Sequence, residues 1–208
     1  MKKYVLLSLI LGFSLWSCEQ PGKSNTNSDW LCVLGKRVGK ITASTTEKDL
    51  KEYYGEANVV RDSLHIGEGE YVGSTKVFPN TKNQLNIAWK EGQEYKKIAR
   101  VIVDQVGTQW ITNNGITVGT DLNKLTEINQ VPFTFFGFEW DYSGNVANWE
   151  GGELDGKNFG LRLHYTADMN EIPEKERLKV IGDQEVSSEE GVLQKMNVRV
   201  QNMFFVFN

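Results

Sequence analysis

The sequence is poor in the groups that usually carry enzyme chemistry: 208 residues include two cysteines and two histidines. It has no Gly-x-Ser-x-Gly elbow, no His-Glu-x-x-His helix and no Walker-type glycine loop. Catalysis by a familiar nucleophile or a zinc site is therefore disfavoured, and no cofactor or metal is expected. His65 and His164 each fall in an alternating segment and read as solvent-facing strand residues. Long charge runs and basic clusters are also lacking, and the formal charge is −4. An acidic balance argues against nucleic acid, whose binding rests on neutralising phosphates, and suits anionic lipid surfaces poorly. No apolar run reaches the ~20 residues that a membrane-crossing helix needs.

What is present begins at the N-terminus. Met1-Lys2-Lys3 is basic, and Tyr4 to Leu15 is mostly apolar, broken only by Ser8, Gly12 and Ser14. These are the n-region and h-region of a secretory signal. Leu15-Trp16-Ser17-Cys18 resembles the lipobox of signal peptidase II substrates, with Leu three positions before the cysteine and Ser next to it; Trp16 departs from the usual small residue. The expectation is a signal peptide over residues 1–17 and a diacylated Cys18 that anchors the chain in the cell envelope. A polar tether follows over residues 18–29. Two acyl chains hold a protein stably where one is marginal, since each buried CH₂ contributes ~0.8 kcal/mol. Cys32 then has no partner in its own chain and reads as a small core residue beside Leu31, Val33 and Leu34. Cleavage after residue 17 removes two of the 23 basic residues and none of the 27 acidic ones, so the formal charge moves from −4 to −6.

The remaining residues contain an internal match. Ile41-Thr42-Ala43-Ser44-Thr45 through Leu50 and Glu52 lines up without a gap with Ile116-Thr117-Val118-Gly119-Thr120 through Leu125 and Glu127, a spacing of 75 residues. That period is too long for a solenoid and suits a duplicated small domain. Ser44 or Thr45, with Glu47 as a capping-box partner, and Thr120 in the second copy are the expected helix caps. Leu50, Tyr53 and Tyr54 fall on one helical face, as do Leu122, Leu125 and Ile128.

Beyond each helix the pattern shifts to alternation. Leu85, Ile87 and Trp89 oppose Gln84, Asn86 and Lys90; Phe159, Leu161, Leu163 and Tyr165 repeat the pattern, as do Met196, Val198 and Val200. Arg100 to Val106 is more continuously apolar, as in a central strand. Turns are expected at Gly67-Glu68-Gly69, Pro79-Asn80, Glu91-Gly92, Tyr142 to Asn145 and Gly151-Gly152, and exposed loops at Met169 to Arg177 and Asp183 to Gly191. The fold class expected is α+β, with tandem duplicated units of a short helix packed on an antiparallel meander. The first half spans residues 30–110 and the second residues 111–208, packed as one globule; whether they share a sheet is open.

The Ile-Thr-x-x-Thr-x-x-x-x-Leu half-repeat, from Ile41 to Leu50 and from Ile116 to Leu125, resembles that of uncharacterised bacterial lipoproteins, over most of residues 33–154 and including Phe138 to Gly144. In plan it resembles, more loosely, β-lactamase inhibitor protein and the small lipoprotein of the outer-membrane barrel-assembly machine. That resemblance implies helices on an antiparallel sheet and a role in binding other proteins, without catalysis.

Three clusters merit a functional reading. Carboxylates gather at Glu68 and Glu70, at Glu139 and Asp141, and at Glu150, Glu153 and Asp155; two acids on one face serve acid/base chemistry when one is desolvated. The run Asp141 to Asn145 offers alternating oxygens but lacks the downstream spacing of a calcium loop, and reads as a β-turn. The densest aromatic stretch is Phe133, Phe135, Phe136, Phe138, Trp140, Tyr142 and Trp149. Strand parity assigns its even-numbered members to the core and makes Phe133 and Phe135 the ones to suspect of exposure. Phe133, Phe135, Trp140, Tyr142 and Trp149 are the candidate binding surface, for an envelope protein partner or a glycan. The expected role is a lipid-anchored, non-enzymatic interaction module, with a ligand-binding protein and an envelope hydrolase as alternatives. The location expected is the cell envelope, at the periplasmic face or cell surface of the outer membrane.

Overall fold

A computed structural model describes residues 29–67 and 70–207, without the side chains of residues 66, 67 and 70. The signal segment, Cys18, most of the tether and the Glu68-Gly69 turn lie outside the described residues. Among the described residues no helix is long and apolar enough to cross a membrane.

The strands are β1 (Leu31–Val33), β2 (Arg37–Val38), β3 (Val59–Gly67), β4 (Glu70–Val77), β5 (Leu85–Trp89), β6 (Ile98–Val103), β7 (Ile111–Thr112), β8 (Thr134–Phe136), β9 (Val146–Asn148), β10 (Phe159–His164), β11 (Glu185–Ser187) and β12 (Arg199–Val206). The helices are α1 (Glu47–Tyr54), α2 (Leu122–Asn129), α3 (Glu174–Arg177) and α4 (Val192–Met196). The fold is α+β and rich in strand.

Its largest sheet has the order β10-β12-β6-β5-β4-β3, all antiparallel, and a smaller one the order β11-β8-β9. An antiparallel bridge from Asn145 to Arg162 joins β9's end to β10. The strands therefore follow one path, β11-β8-β9-β10-β12-β6-β5-β4-β3. The two halves expected from the sequence meet in it at the β6–β12 pair, where Val103 faces Met203 and Val101 faces Phe205. They meet again in a third sheet, β2-β1-β7, where β1 runs parallel to β7.

The half-repeat has the same local geometry twice. Thr45 Oγ accepts the Thr42 N–H at 3.0 Å, and Thr120 Oγ accepts the Thr117 N–H at 2.9 Å. With those hydroxyls committed, capping passes one residue on, to Thr46 and Asp121. This corrects the expected caps. Thr46 forms a capping box with Asp49, not Glu47, and Asp121 accepts from the Lys124 N–H. Leu50 and Leu125, 75 positions apart, are both fully buried; Tyr53 is exposed and drops off the predicted face.

One face of the large sheet packs on the helices through Val59, Val77, Leu85, Ile87, Val101, Val103, Met203, Phe205, Phe159 and Leu161, with Leu50, Leu125 and Leu193 against them. Several sequence expectations change here. β5 is buried at all five positions, Asn86 included, because it is a central strand with neighbours on both sides. Met196 closes α4 rather than entering β12, and Val106 is exposed beyond the end of β6. The stretches read as loops contain α3 and β11. Cys32 is a buried free thiol, pushed up to about 12 chiefly by burial, so it is inert at neutral pH.

Candidate functional site

The sheet's second face is solvated. The row Val60, Lys76, Asn86, Ile102, Phe204 and Gly160 crosses its six strands in register. Ala88 and Ile102 are buried on this side yet stand outside the core cluster; they are small or central residues shaded by longer neighbours. Val60 and Val206 are exposed, at 46% and 39%. Polar side chains are tied to one another: Lys76 pairs with Asp62, and Gln84, Asn86, Asp104 and Gln105 form a hydrogen-bonded chain at 2.7–3.1 Å. One face packed and one face wet is the ordinary state of an antiparallel sheet.

At the β8 end this surface becomes aromatic. Phe136 points away from the core-facing Phe135, and beside it stand Trp140 and Tyr142, with ring centroids 5.8 Å and 6.1 Å from Phe136 and 5.2 Å from each other. Tyr142 is 60% exposed, while Phe136 and Trp140 are half-buried. The loop that presents them is held from several sides. Trp140 Nε1 donates to the Gly137 carbonyl at 2.8 Å, and Arg162 donates to the carbonyls of Ser143 and Asp141 at 2.8 Å and 3.0 Å. The Tyr165 hydroxyl donates to Glu139 Oε1 at 3.0 Å; burial and then that carboxylate hold its pKa above the usual phenol value. Gly144 has φ +70°, and a Cβ there would overlap the Leu163 carbonyl, so only glycine lets the loop lie this close to β10.

The other proposed surface residues are inside. Phe133 and Phe135 are fully buried and Trp149 is 7% exposed. Phe133 lies 5.0 Å from Trp149, and Trp149 stacks on Phe159 and donates to its carbonyl. The correction has a simple cause: β8 stops at Phe136 and the chain turns at Gly137, so parity counted back from Tyr142 does not carry across. Of the five candidates, Trp140 and Tyr142 form a surface, joined by Phe136, which strand parity assigns to the core.

Glu139 and Asp141 sit in this loop rather than on a strand face, and both are exposed. The run Asp141 to Asn145 is a turn, closed by Ser143 N–H to Trp140 O and Asn145 N–H to Tyr142 O. His65 is exposed, its ring 5.1 Å from that of Tyr71 and tilted to it by 50°. His164 is half-buried, its pKa lowered by desolvation and then by Arg199.

Two further features were not foreseen. A groove of about 540 Å³ opens where β1, the turn after β7 and the end of α2 meet, with Leu34, Lys36, Asn113, Ile128 and Lys157 among its walls. Beside α1, buried Glu47 takes a bidentate contact from Arg61 at 2.7–2.8 Å, and Arg61 lies 3.9 Å over the Tyr95 ring. The Arg61 hydrogen bonds hold the Glu47 carboxyl below the usual carboxylate range, against the opposing effect of burial. The only hint in the sequence is an acidic residue at a helix start, which reads as a cap.

No family model, curated protein or solved structure matches this chain.

Proposed function

We propose that this chain is a cell-envelope protein, anchored through acyl chains on Cys18, whose folded part is a non-enzymatic protein-interaction module built by duplication. The duplication is supported by the shared hydrogen-bond geometry at Thr45 and Thr120 and by helices that coincide at an offset of 75 residues. It also fits the strand path: β3 to β6 run inward in chain order from one end, and β8, β9, β10 and β12 do so from the other. The observation that carries the interaction role is the open sheet face, with Val60 at the β3 edge, Phe204 and Val206 on β12 in its middle, and the braced Phe136, Trp140 and Tyr142 at the β8 end. Exposed aromatic and aliphatic anchors between satisfied polar groups are the usual make-up of a protein-binding surface.

The test uses the full-length chain in its host, with a photo-crosslinking residue at Phe204 or Tyr142 and, as a control, at Glu189. A discrete protein adduct from the first two positions, absent at Glu189 and lost in Cys18→Ala, is the expected result. Adducts that do not depend on position would overturn the interaction reading; adducts that persist in Cys18→Ala would overturn the anchor. A second reading, glycan binding, is favoured by the exposed Tyr142 ring beside Trp140. It predicts that oligosaccharides shift the tryptophan emission and that Trp140→Phe abolishes the shift.

A further inference from the structure

The two ends of the sheet are unlike. At one end, β8 is covered by β11, a strand of three residues. At the other end stands β3, nine residues long, with no strand of the described residues on its outer side. In the strand path β3 occupies the place in the first half that β8 occupies in the second. The position beside β3 is therefore the one that β11 fills beside β8.

The outer edge of β3 is available for pairing. Phe78 N–H donates to the Asn58 carbonyl at 2.8 Å; antiparallel alternation from that bond turns the backbone groups of Arg61, Ser63 and His65 outward. The Ser63 N–H meets only the side chain of its neighbour Asp62, at 2.8 Å. Exposed edges are normally guarded by charged side chains or proline. Here Arg61 is folded back onto Glu47 and Tyr95, Asp62 is drawn across to Lys76, and the strand has no proline. Both charges that could guard the edge are spent within the fold.

We propose that β3 pairs antiparallel with β3 of a second copy of this chain, centred on Ser63. A two-fold axis at that residue sets Arg61 against His65 and Asp62 against Leu64, and the strand's overlap is complete, Val59 reaching Gly67. Centring on Arg61 or Asp62 would instead oppose like charges. The register between β3 and β4 shifts only between His65 and Gly67, so the central stretch from Arg61 to His65 is regular. The pairing extends the sheet, with its open face, across two molecules. It is independent of what that face binds.

Ser63 is exposed, so Ser63→Cys in the full-length chain tests the pairing without disturbing the core. Directly opposed residues have Cβ atoms ~5 Å apart, whereas Val60 and its copy would be six residues apart along the strand, ~20 Å. A short bis-maleimide applied to host cells is expected to give about ten-fold more covalent dimer from Ser63→Cys than from Val60→Cys, and none from the parent chain, whose Cys32 is buried and whose Cys18 thiol is taken up by the proposed lipid anchor. Equal dimer from the two variants, no dimer, or a Ser63→Cys adduct with a different protein would overturn the proposal.

Discussion

The surroundings of α1 and α2 differ in what the same scaffold is asked to hold. Position for position the helices share a capped start, a fully buried leucine and a left-handed or extended exit with φ positive, at Gly55 and Gln130. They part at the first and last helical residues. Glu47 in α1 holds Arg61, while Leu122 in α2 joins the apolar core. Tyr54 ends α1 with its hydroxyl 3.4 Å from the Lys40 N–H. Asn129 ends α2 fully buried, donating to the Val131 and Trp149 carbonyls at 2.9 Å and accepting from the Leu154 N–H at 3.1 Å. What the two helices share is the part that makes a helix and seats it. What differs is the part that organises neighbouring chain: a sheet edge in the first half and the loop from Trp149 to Leu154 in the second.

The sharpest way to break this comparison is at the shared position. Leu50→Ala and Leu125→Ala should each cost roughly 2–5 kcal/mol, since both remove a fully buried leucine from a helix-on-sheet contact; denaturant unfolding of each variant checks this. Losses that differ by more than about 3 kcal/mol would mean that the two seats are not equivalent. Asn129→Ala comes next. It strands two carbonyls and one N–H in the interior, at roughly 3 kcal/mol in total, whereas Tyr54→Phe gives up one long hydrogen bond and should cost under about 1 kcal/mol. Equal effects from these two would erase the contrast between the helix ends.

The smallest effect concerns Glu47. Its pKa in the folded chain lies below the ordinary 4.5, with the Arg61 hydrogen bond the main cause. A depressed carboxylate contributes stability that is present above pH 4.5 and is lost as pH falls through the folded pKa. Stability measured against pH should therefore fall more steeply on acidification below that value in the parent chain than in Glu47→Gln. Parallel curves would show that the Arg61 contact adds nothing to stability.

Legibility in the sequence followed the range of the forces involved. The helices over 47–54 and 122–129 could be read because caps and i, i+3, i+4 spacing are local, and β10 could be read because its burial strictly alternates at Phe159, Leu161 and Leu163. Errors entered where distant chain decides. Asn86 faces away from Leu85 and Ile87 as the alternation predicts, but neighbours brought from both sides shade it. The caps fell one residue late because a threonine hydroxyl can serve either the turn or the helix, and the turn took it. β11 was read as loop, since three residues with a single buried valine acquire a strand's identity only from β8 beside them. For the candidate surface, composition located the aromatic segment correctly, but the bend at Gly137 decided which rings reach water.

The pairing of β6 with β12 also bears on the order of events during synthesis. β6 lies in the middle of the sheet, yet its second partner begins only at Arg199, far along the chain from Val103. Until that segment arrives, the first meander carries an unprotected apolar strand, Val101 to Val103, with nothing to close it. Such long-range closure slows folding and exposes a sticky intermediate. A chain that stops short of β12 would leave that edge of β6 open to chaperones, as unpaired strand edges are.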